Sequence, residues 1–388
     1  MIIYALSGGS MLPQNLSDCD DTEVIIEAIR YMPETIDIKA AGTAMRFMTA
    51  YLSVMRGTHT ITGTERMKHR PIGVLVDALC KMGADIEYVE NVGYPPLRIT
   101  GRPLSGGLVE VSGNVSSQYI SALLMIGPVL EKGLELRLVG DIISRPYIDL
   151  TLWLMREFGA DAEWSSGDTI SVKPQPYRSR EYFIENDWSG ASYWYEMVAL
   201  SADKDATVQL SGLMDGSKQG DSVVKYIFSL LGVKTIFETK EDGQLQMVTL
   251  KKSGRRLPRL EYDFVNSPDL AQTIVVTCCM LNVPFHFRGL ATLKIKETDR
   301  IEALKKEMRK MGYVLTDRNG SELIWDGTRC EPDSDIVIDT YEDHRMALAF
   351  APASMKQKMT INNPQVVSKS YPHFWDDLKE AGFEIALR

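Results

Sequence analysis

Five times along this chain an amphipathic helical stretch reaches a glycine and gives way to a short alternating run. The segments are LVDALCKMGADIEYV, TLWLMREFGADAEW, YIFSLLGVKTIF, KKEMRKMGYVLT and DDLKEAGFEIAL, with their glycines at Gly83, Gly159, Gly232, Gly312 and Gly382. The separations are 76, 73, 80 and 70 residues. A helix C-terminus turns most easily through a residue with positive φ, which glycine adopts without a Cβ penalty. The alternation that follows, as in Asp85-Ile86-Glu87-Tyr88, predicts a half-buried strand. An earlier helix, TEVIIEAIRYM, stops at Pro33 and reads as a degenerate sixth copy. Helix-Gly-strand occurs in many α/β chains, but near-constant spacing along the whole chain marks a repeat. The units are too long and too few for a solenoid, and no glycine-rich dinucleotide fingerprint follows a first strand. Three units fall on either side of the polar stretch RSREYFIENDWSG. Two α/β domains of similar size are therefore expected, residues 1–185 and 186–388, with the ligand site in the cleft between them.

Charge and composition exclude several functions. The 43 basic and 52 acidic residues leave a net charge of −9, so no bulk positive field exists for nucleic acid or an anionic membrane. An anionic ligand must then be held by a local cluster of cations. Five cysteines (Cys19, Cys80, Cys278, Cys279, Cys330) form no CxxC pair and no spacing with histidine. That argues against a disulfide scaffold or a structural zinc, and for a reducing cytoplasm. The longest apolar runs, Tyr119 to Leu130 and Thr273 to Phe285, fall short of the ~18 residues that cross a bilayer. The opening MIIYALSGGS lacks the basic start and cleavage site of a signal peptide.

Several short segments carry charge or hydroxyls that packing alone does not explain. Ala41-Gly42-Thr43-Ala44-Met45-Arg46 sets a small-residue turn ahead of a helix, either a plain helix entry or a place where backbone N–H groups approach an anion. Arg70 stands directly before Pro71, which biases it away from helix. Ser116, Ser117 and Gln118 begin an apolar helix, and Ser144 opens the next in the same manner; these hydroxyls serve as caps or as partners of a polar ligand. Lys294 to Arg300 carries three basic and two acidic residues within seven positions, read as a solvated helical face or as part of a site. Asp269 is expected in the first turn of a buried helix, where it complements the dipole or acts on a ligand. Arg345 in Asp343-His344-Arg345 and Lys369 before the last helix complete the set. Together they point to a strongly anionic ligand with carboxylates available for proton transfer.

AGTAMR, MKHRPIG, SSQYISALL, SRPYIDLTL, KETDR, DHRMA and SKSYPHFW, in that order, resemble the 5-enolpyruvylshikimate-3-phosphate (EPSP) synthases from about Ala40 to the C-terminus. The resemblance implies an α/β, enolpyruvyl transferase-like fold of two inside-out barrel domains. Each would hold three βαβαββ units, helices inside and sheets outside. It also implies addition of the 5-hydroxyl of shikimate 3-phosphate to C2 of phosphoenolpyruvate, protonation of C3, and loss of phosphate. By matching motifs, Arg70, Arg300, Arg345 and Lys369 would hold phosphoenolpyruvate, with Gly42 giving backbone approach. Ser116, Ser117, Gln118, Ser144, Asp269 and Lys296 would bind shikimate 3-phosphate, Asp269 acting as the base. Glu297 and Lys369 are both candidates for proton delivery to C3. No cofactor or metal is implied. The expected partners are small molecules only, without nucleic acid or membrane, for a monomer in the cytoplasm.

The chain departs from the family pattern in places. It opens at MIIYALSGG, which resembles the sequence just after the family's adjacent Lys-Ser, and no lysine precedes Lys39. Ala41 and Phe47 stand where the family often has Asn and Pro, and Thr292 where some members have a substrate-binding Asn. One alternative is accordingly a truncated, impaired synthase that only binds anions. Another is the enolpyruvyl transferase acting on UDP-N-acetylglucosamine, against which stand Cys80 in an apolar helix and the SSQYISALL and KETDR motifs.

Overall fold

In the computed structural model, residues 1–9, 12–238 and 246–386 are described. The chain divides into two units, Met1–Ile184 and Glu185–Arg388. Within each, helices that are apolar on every face form the interior, and strands that alternate carry the exposed surface.

The first unit begins with α1 (Ile2–Leu6) and α2 (Asp20–Tyr31). There follow β1 (Thr35–Asp37), α3 (Gly42–Val54), β2 (Gly57–Thr62), α4 (Glu65–Lys68), α5 (Gly73–Lys81), β3 (Asp85–Tyr88) and β4 (Leu97–Gly101). A second copy runs through β5 (Gly107–Ser112), α6 (Ser117–Ile126), β6 (Leu134–Val139), α7 (Arg145–Glu157), β7 (Ala162–Trp164) and β8 (Thr169–Val172). The sheets have the same topology, β1-β2-β4-β3 and β5-β6-β8-β7. In both, the first pair is parallel and the others antiparallel. Strands β5 and β6 bury alternate residues, whereas α6 buries every residue from Tyr119 to Ile126 and packs on α3. A lone parallel bridge joins Gln14 to Phe183.

The second unit starts with α8 (Trp188–Leu200), β9 (Thr207–Ser211), α9 (Val224–Leu230), β10 (Val233–Glu238) and β11 (Met247–Lys252). A full copy follows in β12 (Leu260–Asp263), α10 (Ala271–Met280), β13 (Phe285–Arg288), α11 (Arg300–Lys310), β14 (Thr316–Arg318) and β15 (Glu322–Trp325), again ordered β12-β13-β15-β14. Then come β16 (Val337–Ile338), α12 (His344–Phe350), β17 (Thr360–Ile361) and α13 (Phe374–Glu380). Every residue of α10 is buried, and α8 and α12 pack against it. Complete βαβαββ copies thus number three among the described residues. The sheet β10-β11-β9 has three antiparallel strands and β16-β17 is a parallel pair.

The repeat glycines take the left-handed conformation, with φ of +100° at Gly83, +82° at Gly159, +92° at Gly232, +91° at Gly312 and +95° at Gly382. In the degenerate copy Met32 occupies that position at φ +42°. Strands β3, β7, β10 and β14 follow the first four glycines. The strand expected after Gly382 does not form over residues 383–386, which join none of the sheets among the described residues. Leu387, also in that expected strand, lies outside the described residues.

Candidate active site

Asp269 lies in a 3₁₀ turn, Pro268–Leu270, that leads into α10. The sequence placed it in the first turn of a buried helix; that first turn takes the tighter 3₁₀ form, with Pro268 at its first position, and runs directly into α10. Both carboxylate oxygens meet cations. Oδ1 is 3.0 Å from Arg300 Nη1 and 3.5 Å from Lys296 Nζ, and Oδ2 is 3.0 Å from Arg345 Nη2. Burial pushes this carboxyl up, but Arg345, Lys296 and Arg300 outweigh it and hold it well below its ordinary value.

Arg300 opens α11 and is 1% exposed. Its remaining donors reach Glu297 Oε2 at 3.0 Å and both oxygens of Asp343, at 2.7 and 3.2 Å. Glu297 uses its other oxygen to pair with Lys369. Asp343 also caps α12, accepting the Arg345 N–H at 3.0 Å. Arg345 Nη1 donates to the Tyr193 hydroxyl of α8 at 3.4 Å. Burial disfavours charge on Arg300, but Asp343, Glu297 and Asp269 hold its guanidinium protonated. Burial, with Lys369 and Arg345 nearby, drives His344 well below the usual imidazole value, so that ring stays neutral. Asp299 caps α11 through Glu302 N at 3.1 Å. Lys296 and Glu297 therefore precede the helix, and KETDR is not a solvated helical face.

Asp269, Lys296, Glu297, Arg300, Arg345 and Lys369 thus form one connected network, although they come from four separate segments. Four cations face three carboxylates when Asp343 is included. Such a cluster is preorganised for anions, with its own carboxylates as internal counterions.

The first unit holds a second group. Gly42 opens α3, and a Cβ there would lie 2.5 Å from Arg70 Nη1 and 3.0 Å from Arg46 Nη1. A side chain there would push the Arg70 guanidinium aside, whereas glycine lets both guanidiniums approach the backbone. Arg46 is 4% exposed and donates to the Gly42 and Pro71 carbonyls at 3.0 and 3.3 Å. Tyr119 donates to the same Pro71 carbonyl at 2.5 Å, and Gln118 Nε2 donates to Thr43 at 3.0 Å. Arg70 lies past the end of α4, outside any helix, as its proline neighbour predicts. Ser116 caps α6, accepting from Gln118 N at 3.3 Å, and Ser117 is the first residue of that helix. Ser144 differs from the expectation: it is buried, left-handed at φ +55°, and makes no capping bond. Its backbone leaves the extended region from which a cap accepts. Sequence reasoning missed Arg46, Tyr193 and Asp343. Of these, Arg46 and Asp343 lay inside motifs already singled out.

The EPSP synthase family, described as EPSP synthase (3-phosphoshikimate 1-carboxyvinyltransferase), matches residues 5–378. The chain belongs to that family. It is therefore an enzyme of the transferase class, with the two-domain α/β enolpyruvyl transferase fold. The 3-phosphoshikimate 1-carboxyvinyltransferase of Bacteroides fragilis is 60% identical over 388 residues, covering all of this chain and 93% of the relative. The enzyme of that name from Photobacterium profundum is 33% identical, covering 98% of this chain and 92% of the relative. Among solved structures, an EPSP synthase from Acinetobacter baumannii superposes with a TM-score of 0.73 at 20% identity, covering 98% of this chain and 93% of that one. The enolpyruvyl transferase NikO from Streptomyces tendae gives 0.61 at 16% identity, covering 87% of this chain and 76% of that one. At these identities the solved structures establish the fold alone.

Proposed function

We propose that this family member transfers the enolpyruvyl group of phosphoenolpyruvate to the 5-hydroxyl of shikimate 3-phosphate, with Asp269 as the base on that hydroxyl. The observation that supports this most is the clamp of Lys296, Arg300 and Arg345 on Asp269. A carboxylate so held is a weak base in the free protein. Substrate phosphate and carboxylate groups compete for the same cations, so binding loosens the clamp and raises the proton affinity of Asp269 where the hydroxyl must lose its proton. Arg300, Arg345 and Lys369 take phosphoenolpyruvate, together with Arg70 against the bare backbone of Gly42. Lys296, Ser116, Ser117, Gln118 and Ser144 take shikimate 3-phosphate. Glu297 and Lys369, which pair with each other, are the candidates that deliver the proton to C3. Residues 1–185 and 186–388 act as the two domains of a cytoplasmic monomer on small molecules only; the net charge of −9 supports the exclusion of nucleic acid.

Asp269→Asn tests this reading. General-base assistance contributes on the order of 10²–10⁴-fold, so kcat should fall in that range while KM for either substrate changes little. A kcat within about threefold of the parent removes Asp269 from the role.

A further inference from the structure

The turn that delivers Asp343 and Arg345 is held in a conformation its residues disfavour. The chain leaves β16 at Ile338 and enters α12 at His344; in between, the Asp343 N–H donates to the Thr340 carbonyl at 2.9 Å. The two central residues, Tyr341 and Glu342, have φ of +55° and +57°. Among the described residues they are the one consecutive pair of non-glycine residues with positive φ. Positive φ at both central positions is the type I′ pattern, which asparagine and glycine fill at little cost and which tyrosine and glutamate resist. Such a turn persists only where its surroundings hold it.

Helix α11 holds it from two points on one face. Glu307 is fully buried and lies seven residues beyond Arg300 on that helix. The Tyr341 hydroxyl donates to Glu307 Oε1 at 2.6 Å, and Glu307 Oε2 accepts the Asp339 N–H at 3.0 Å. Lys310 pairs with Glu307 Oε2 at 2.7 Å and reaches Asp339 Oδ2 and the Val337 carbonyl, both at 2.9 Å. Asn362, just past β17, donates to Asp339 Oδ1 at 2.7 Å. The other side of the turn is gripped by Arg300, which forks Asp343 at 2.7 and 3.2 Å. We propose that Glu307 and the Tyr341 hydroxyl are positioning groups for the anion site. They keep the 340–343 turn left-handed, so that Asp343 meets Arg300 and α12 begins with Arg345 on Asp269. The inference rests on Arg300 and Arg345 taking phosphoenolpyruvate.

Tyr341→Phe removes the hydroxyl and keeps the ring. A hydrogen bond to a charged group is worth up to about a hundredfold in an equilibrium, and ligand must refill whatever fraction of the turn is lost. At saturating shikimate 3-phosphate, KM for phosphoenolpyruvate should rise about three- to thirtyfold while kcat stays within about twofold, because bound ligand restores the turn. Glu307→Gln should act in the same direction. Glu342 is exposed, and Glu342→Gly relieves the positive-φ strain there. Added to Tyr341→Phe, it should bring KM back to within about threefold of the parent. Glu342→Gln drops the same charge but keeps the strain, and should restore nothing. A packing defect would lower kcat through the folded fraction, leave KM alone and ignore Glu342→Gly. Arg345→Gln serves as the reference for the site itself. If Arg345→Gln raises KM while Tyr341→Phe keeps the parent value, the positioning role is overturned and the site stands. Failure of Glu342→Gly to rescue, or equal rescue by Glu342→Gln, overturns it too. If Arg345→Gln keeps the parent KM, site and positioning fall together. Should the chain turn over no substrate, titration calorimetry with phosphoenolpyruvate reads the same variants against the same outcomes.

Discussion

Replacing Arg300 by methionine should strand the Asp343 carboxylate and take one cation away from each of Asp269 and Glu297. The guanidinium is 1% exposed and reaches Asp269 at 3.0 Å, Glu297 at 3.0 Å and Asp343 at 2.7 and 3.2 Å. Asp343 is fully buried, so its charge has no water to fall back on. Removing one partner of a buried ion pair costs about 3–5 kcal/mol, because the charge left behind stays desolvated. For a unit of this size each kcal/mol shifts the midpoint by about 2–4 °C, so Tm should fall by roughly 6–20 °C. Arg300→Lys should lie in between, since an ammonium cannot reproduce the forked contact with Asp343. The pH dependence has a defined sign. The Arg300→Met deficit should shrink at lower pH, because protonation neutralises a carboxylate left without its partner. In the parent, the depressed Asp269 carboxyl contributes stability that is present above its ordinary value of 3.8 and is lost as pH falls below it. Calorimetry at pH 7.5 and 5 reads the first effect, and extending it to about pH 3 reads the second. An Arg300→Met midpoint within about 2 °C of the parent at pH 7.5 would show that the cluster is solvated and the cost misjudged.

Gly42→Ala should raise KM for phosphoenolpyruvate about ten- to hundredfold with a smaller effect on kcat, because the new methyl displaces the Arg70 guanidinium 2.5 Å away and a charge-assisted bond is worth about 1.5–3 kcal/mol; steady-state kinetics at varied phosphoenolpyruvate checks it. Asp343→Asn should leave α12 capped, since asparagine still accepts from the Arg345 N–H, but release the forked hold on the Arg300 guanidinium and so weaken anion binding despite the lost negative charge; titration calorimetry with inorganic phosphate reads the loss. Glu196→Gln should raise Tm at pH 7 and leave it unchanged near pH 4. The Glu196 carboxyl is wholly buried and has no hydrogen-bond partner within normal distance among the described residues, the nearby Thr277 hydroxyl donating to the Thr273 carbonyl. Burial pushes its folded value well above 4.5, so its contribution is present below that pH and is lost as pH rises.

The repeat was legible because its signal is local. Each glycine must supply a left-handed residue at a helix end, and Met32 shows the same backbone requirement met by another side chain. The strand expected after Gly382 failed for a non-local reason: alternation predicts a strand, but a strand also needs a partner. Asp269, Arg300 and Arg345 stood out as charge against apolar runs, yet nothing in the spacing of KETDR says that Arg300 turns inward to Asp343, 43 residues on. Ser144 looked like a second Ser116, and only its backbone conformation separates them.

The most direct test of the account is phosphate release by this chain from phosphoenolpyruvate, with shikimate 3-phosphate or UDP-N-acetylglucosamine offered as acceptor. Release is predicted with shikimate 3-phosphate alone, and it should collapse in Asp269→Asn. Release with the nucleotide sugar, or equal release by the parent and Asp269→Asn, would contradict it.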